Sequence, residues 1–231
     1  AIKLATETQF YVKIRQSHNL QNQINNASIS KIIKAVGQAK YLIGGTIPVN
    51  YGGTNYDTPI VTELTINVGS ANTWVDYIGS TYHLPNEDSV MRNVILDDIW
   101  ANWTNDSIDF VIIGHVSNIP NYLAKYYYEN GQIYFTSIST YITGTEHVWS
   151  NNCKIINKNL AYYGLIWDNL YTNMAQSEFL KLNMSTGTDY AEELGSSTYG
   201  FDYNLKDYCK VQILNINNEI FFLNVDFGLY D

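Results

Sequence analysis

The stretch Tyr122–Ile142, YLAKYYYENGQIYFTSISTYI, carries the strongest local signal in this chain of 231 residues. Two aromatic and β-branched runs flank Asn130-Gly131. Asn-Gly is the preferred centre of a tight hairpin turn because both residues tolerate positive φ. In the second run Ile133, Phe135 and Ser137 alternate with Gln132, Tyr134, Thr136 and Ile138. Aromatic side chains fall on both faces, so the hairpin is expected to be covered on both sides.

Working outward, further short runs read as strands: Ile60–Val68, Thr73–Ile78, Asn93–Trp100 and Phe110–Val116. Each is rich in β-branched or aromatic residues and bounded by Gly, Pro, Asn or Asp. The end of the chain reads as a second hairpin, with Val211 and Ile213 before a turn at Asn217-Asn218 and Ile220–Val225 after it. Asn151-Asn152 and residues 157–159 are turn-prone, and Ser185–Gly200 reads as a polar loop. Trp167–Leu182 fits a helix through Leu170, Met174, Ser177 and Leu180, while Tyr163–Leu170 fits a strand equally well. No repeat of 20–50 residues is evident.

The first part of the chain reads differently. Gln9–Gln16 alternates at Phe10, Val12 and Ile14, as an extended arm would. Ile29, Ile32, Ile33, Val36 and Ala39 recur at spacings of three and four, which predicts a short amphipathic helix capped by Ser28 and ended by Gly44-Gly45. Residues 43–59 hold two Gly-Gly pairs and two prolines and read as a loop and domain boundary. The expected architecture is mainly β: residues 1–45 form an N-terminal arm and helix, and residues 58–231 an antiparallel β-sandwich-like domain.

Composition restricts function. Hydrophobic residues make up 45% of the chain, enough for a core, and only 15% are charged. The net charge is −9 and no run of Lys or Arg exceeds one residue, so no nucleic-acid partner and no anionic membrane surface is expected. No apolar run reaches the roughly 18–20 residues of a membrane-spanning helix, and the opening shows no basic-then-apolar signal peptide. Cys153 and Cys209 are too few for a disulfide scaffold; pairing is conceivable, and buried thiols are the favoured reading.

Catalytic signatures are missing. The histidines His18, His83, His115 and His147 show no metal-ligand spacing, and no cofactor is expected. His115 follows a buried-looking strand and suits either a catalytic base or a hydrogen-bonded sheet residue, the latter being favoured. Asp97, Asp98, Asp106 and Asp109 offer oxygen ligands, but their spacing matches no calcium loop, and solvated acids are the better reading. Adjacent strand residues point to opposite faces, so Asp97-Asp98 is not expected to form a glycosidase pair by itself. Aromatic residues make up 14% of the chain, which suits neutral ligands bound by stacking, sugars above all. The most sugar-like local site is Trp100, Asn102, Trp103, Asn105 and Asp106, set against a packing role for both tryptophans.

The opening Ile2-Lys3-Leu4-Ala5-Thr6-Glu7, followed by Gln9-Phe10-Tyr11-Val12-Lys13-Ile14, resembles the start of bacteriophage tail-fibre and related virion proteins. The resemblance implies a virion component, assembled in the host cytoplasm, whose N-terminus docks on the particle through Leu4, Phe10, Tyr11, Val12 and Ile14. It implies other virion proteins as partners and a homo-oligomer, trimeric if fibre-like, with a host-surface glycan as a further partner. A non-enzymatic virion protein is thus the leading expectation. A carbohydrate-binding module or lectin is the second, and a glycan-degrading hydrolase using Asp97, Asp98, Asp106 or His115 the third.

Overall fold

The computed structural model describes residues 28–35, 40–51, 53–65, 81–83, 94–103, 108–116, 119–129, 132–139, 147–169, 174–185, 188–200 and 209–225. Every element among them is a β-strand, and every pairing is antiparallel. The first sheet runs β1 (Ser28–Lys34), β2 (Lys40–Tyr51), β3 (Thr54–Thr65), β4 (Thr81–His83). The second runs β5 (Val94–Trp103), β6 (Ile108–Val116), β7 (Ile119–Glu129), β8 (Gln132–Ser139). The third holds β9 (His147–Asn157), β10 (Leu160–Asn169), β11 (Met174–Ser185) and β12 (Thr188–Gly200). A hairpin of β13 (Lys210–Ile216) and β14 (Glu219–Val225) forms the fourth. Each of the first three sheets is therefore a four-stranded meander in chain order, a structural repetition with no visible counterpart in the sequence.

The sheets pack face to face in chain order. Phe110 and Ile112 of β6, with Ala124 and Tyr126 of β7, join Leu42 and Val61 of the first sheet in one core. Val111, Ile113, Leu123 and Ile138 turn the other way and join Tyr163, Leu165, Leu180 and Leu182 of the third sheet. β6 is thus buried on both faces, whereas β8 leaves Tyr134 and Phe135 40% and 37% exposed, so the hairpin is covered only in part. A smaller core of Ile166, Cys209 and Val211 seats the fourth sheet on the third, where the Phe222 ring stands 4.7 Å from that of Phe179. The first strands of the successive sheets, β1, β5, β9 and β13, are neighbours.

Both hairpins read from the sequence are present. Glu129 pairs with Gln132, Asn130-Gly131 lying outside the described residues, and Ile216 pairs with Glu219 across Asn217-Asn218. Asn217 and Asn218 have φ of 54° and 67°, the paired positive values of a type I′ turn. The turn at Lys158-Asn159 also stands where Asn-rich sequence placed it.

Four expectations are corrected. Of the residues read as a helix from Ser28, 28–34 form strand β1, whose Ile32 pairs with Ile43, and 40–43 begin β2, while Val36 and Ala39 lie outside the described residues. A bulge between Ile29 and Lys31 shifts the alternation, so that a helix-like spacing of isoleucines lies along a strand. β-branched residues also favour the pleated surface. Residues 43–59 are not a loop: they run through β2 and β3, and Gly44 and Gly45 are buried. A Cβ on Gly44 would collide with Ile99, so this glycine lets the first two sheets approach. Gly53, with φ of 92°, does lie in a turn, where its N–H donates to Asn50 Oδ1 at 3.1 Å. Ser185–Gly200 mostly forms β12, an edge strand that tolerates small polar residues because one face meets solvent. Asn151-Asn152 lies within β9, and the ambiguous Trp167–Leu182 belongs to β10 and β11 outside residues 170–173.

Candidate functional site

The chemistry-bearing side chains gather where β5 meets β9. A register shift between Leu96 and Asp98 places a bulge in β5. A bulge adds a residue and re-aims its neighbours. Leu96 and Ile99 both pack toward the first sheet, while Asp97 and Asp98 both reach β9. This corrects the expectation that adjacent carboxylates must part company. Asp97 accepts from His115 Nδ1 at 2.8 Å and from Asn151 Nδ2 at 2.7 Å. Tyr163 is hydrogen-bonded to the same Asp97 and Asn151. Asp98, almost fully buried, accepts the Ile155 N–H at 2.7 Å. Lys31 Nζ stands 2.7 Å from its other oxygen, an ion pair that ties β1 to β5.

The electrostatics follow from this packing. Burial alone would lower the His115 pKa, but the hydrogen bond and the charge of Asp97 outweigh it, and the net shift is upward. Burial pushes the Cys153 thiol well up, and Asp98 and Asp97 push it further, so this thiol stays protonated and unreactive. Burial likewise raises Tyr163, with Asp97 next in effect. The bonded carboxylate thus favours the charged form of the imidazole, which suits a structural cation.

That assignment has a sign. A raised histidine pKa contributes stability that is fully present below the unfolded value near 6.5. It is lost as pH rises through the higher folded value. Asp97→Asn is therefore expected to bring the His115 pKa down, read by the ring-proton NMR titration, and to remove the stability lost on raising the pH through that window. An unchanged titration in the variant would separate His115 from Asp97.

A second feature lies between the second and third sheets. A small cleft of about 40 Å³ is lined by Trp100, Asp109, Tyr127, Glu129, Lys158 and Asn159, among others. Its floor is held by Lys125, whose ammonium bonds Asp189 at 2.9 Å and lies 5.1 Å from the centre of the Tyr127 ring. Glu129 and Lys158 pair across the rim at 3.4 Å. The volume suits one or two ordered waters.

The residues marked from the sequence scatter. Trp100 packs on the core between the second and third sheets, Trp103 on the core between the first and second. The two rings thus leave β5 on opposite faces and build no common platform. Asn102 is exposed between them on β5, and Asn105 and Asp106 lie outside the described residues. So do Leu4, Phe10, Tyr11, Val12 and Ile14. Asp109 lines the cleft, away from Asp97 and Asp98, and among the described residues no three His, Cys, Asp or Glu side chains are grouped to hold a metal. Cys153 and Cys209 are both buried, lie in different cores and form no disulfide. The sequence reading missed the Lys125–Asp189 pair, whose one signal was a lysine inside an aromatic strand. It also missed Glu178, whose buried Oε1 has no hydrogen-bond partner and whose pKa is raised to about 7 by burial and by Glu193. No helix among the described residues is long and apolar enough to cross a membrane. Comparison with protein-family models finds no match, and a search of curated proteins finds none either.

Proposed function

We propose that this chain is a non-enzymatic virion component, a tail-fibre, spike or baseplate-associated protein of a phage-like particle. It docks through its N-terminal residues and presents the β-rich, sandwich-like part for assembly or for binding a host receptor. It works as a homo-oligomer among other virion proteins. The sandwich element of this reading draws on the core shared by the second and third sheets. The observation that carries the functional reading is the placement of apolar side chains on exposed strands: Ile32, Phe135, Tyr190, Ile216, Phe221 and Leu223. Single exposed hydrophobics are ordinary, but several on strand surfaces of a weakly charged chain suit contact with other subunits. The acid–histidine cluster adds support, because its groups are spent on bonds to one another and to the backbone inside the fold. Deleting residues 1–20 is expected to leave the circular-dichroism spectrum and melting temperature of the β-rich part unchanged and to abolish incorporation into particles. Normal incorporation of the truncated chain would end the docking reading.

A further inference from the structure

We propose that β14 accepts residues 9–16 of a second copy of this chain as an added strand, so that assembly proceeds by strand donation. The inference rests on the N-terminal docking reading and names the surface on which that docking occurs.

The acceptor is incomplete by the standard of its own molecule. Among the described residues the first three sheets have four strands each, the fourth has two, and β14 has β13 as its one ladder neighbour. A two-stranded sheet is marginal in water unless it packs or is extended. One face of this hairpin packs on the third sheet through Val211 and Phe222. The other face is bare. Leu214 pairs with Phe221, Gln212 with Leu223 and Ile216 with Glu219, and cross-strand partners share a face. On it Ile216 is 50%, Phe221 43% and Leu223 47% exposed.

The edge also lacks the usual protection. Free edges are normally blunted by charge, proline or a bulge. β1 carries Lys31, Lys34 and a bulge, and β12 carries Asp189, Glu192, Glu193 and a register shift. β14 reads EIFFLNV, with one charge at its start, no proline and a regular register with β13.

The donor is written in the same chain. As an added strand, Gln9–Gln16 would put Phe10, Val12 and Ile14 on one side and Tyr11, Lys13 and Arg15 on the other, at a length close to that of β14. Its two cations face a chain of net charge −9, which draws the arm toward another copy. Strand addition uses main-chain hydrogen bonds for affinity and alternate side chains for register. The arm leaves from β1, and the second and third sheets lie between the first sheet and β14. Sheets stack about 10 Å apart, so three steps come to about 30 Å. Residues 17–27 span at most roughly 37 Å when fully extended. Within one molecule the tether must run nearly straight past two sheets; a second copy imposes no such condition.

The test uses the full chain. Val12→Cys and Leu223→Cys are introduced together, and a mixture of isotopically light and heavy protein is cross-linked through the new thiols, Cys153 and Cys209 being buried. Oligomer mass by light scattering and hydrogen exchange of residues 219–225 are read in the parent chain and in Val12→Pro, which lies outside the described core. The expected result is a light–heavy cross-link, oligomers in the parent, and exchange of 219–225 at least tenfold faster in Val12→Pro, which is monomeric. Cross-links within single chains, or exchange unaffected by Val12→Pro, would overturn the proposal. Loss of particle incorporation on deleting residues 1–20, with β14 exchange unchanged, would sink strand donation while leaving the docking reading standing.

Discussion

Asp189→Ala will lower stability by about 3–5 kcal/mol, the cost of stranding one member of a buried ion pair. Lys125 on β7 and Asp189 on β12 have side chains 4% and 6% exposed. The ammonium donates to Asp189 Oδ1 at 2.9 Å and to the Met184 carbonyl at 3.3 Å, and Thr136 Oγ1 donates to Asp189 Oδ2 at 2.5 Å. These bonds tie β7 and β8 of the second sheet to β11 and β12 of the third. Without the carboxylate the lysine keeps one carbonyl and an aromatic face, too little to offset desolvation of a full charge. For a chain of this length the loss corresponds to roughly 10 °C in melting temperature. The double variant Lys125→Met/Asp189→Leu removes both charges and is expected to recover most of that loss, because apolar replacement of a buried pair is often neutral or stabilising. Thermal and denaturant unfolding of the parent, Asp189→Ala and the double variant checks this. A double variant as weak as Asp189→Ala would show that shape, not charge, makes the contact.

Gly114→Ala will cost about 3 kcal/mol, at the upper end of the range for forced overpacking. Gly114 pairs with Leu96 beside the β5 bulge, and a Cβ there would stand 2.5 Å from the Ile95 carbonyl oxygen and 2.8 Å from Val94 Cγ1. The first obstacle is backbone, so no rotamer change relieves it and β5 must move away from β6. The neighbouring residue is His115, so the displacement is also expected to loosen its bond to Asp97 and bring its raised pKa back down. Gly195→Ala is the control, since nothing lies within 4 Å of the Cβ it would gain; its melting temperature should stay within about 2 °C of the parent. A Gly114 variant as stable as that control would mean the two strands have slack that the geometry denies.

Particular elements show why parts of the fold were readable. The β7–β8 and β13–β14 hairpins depend on two residues that accept positive φ between alternating runs, information held within about ten positions. The strand FVIIGHV is continuous because β6 meets a core on each face. β1 was misread because three isoleucines at helix-like spacing are ambiguous over two turns, and only pairing with β2 resolves them. β12 was misread because an edge strand needs few apolar residues once β11 supplies its hydrogen bonds. Of the candidate site, His115 and the aspartates were visible as residue types. Their convergence was not, because it depends on the extra residue in β5.

What the amino-acid sequence determined by itself is therefore local and compositional: a β-rich chain, its tight turns, its buried thiols and its strongly apolar strands, all consequences of backbone sterics and side-chain hydrophobicity. Tertiary structure alone decided which glycines are close contacts rather than turns, that Asp97 and Asp98 point the same way, and that Lys125 finds Asp189, 64 residues away. Those outcomes depend on register and on the spacing between sheets, and a charge can be buried only where a distant strand delivers its partner.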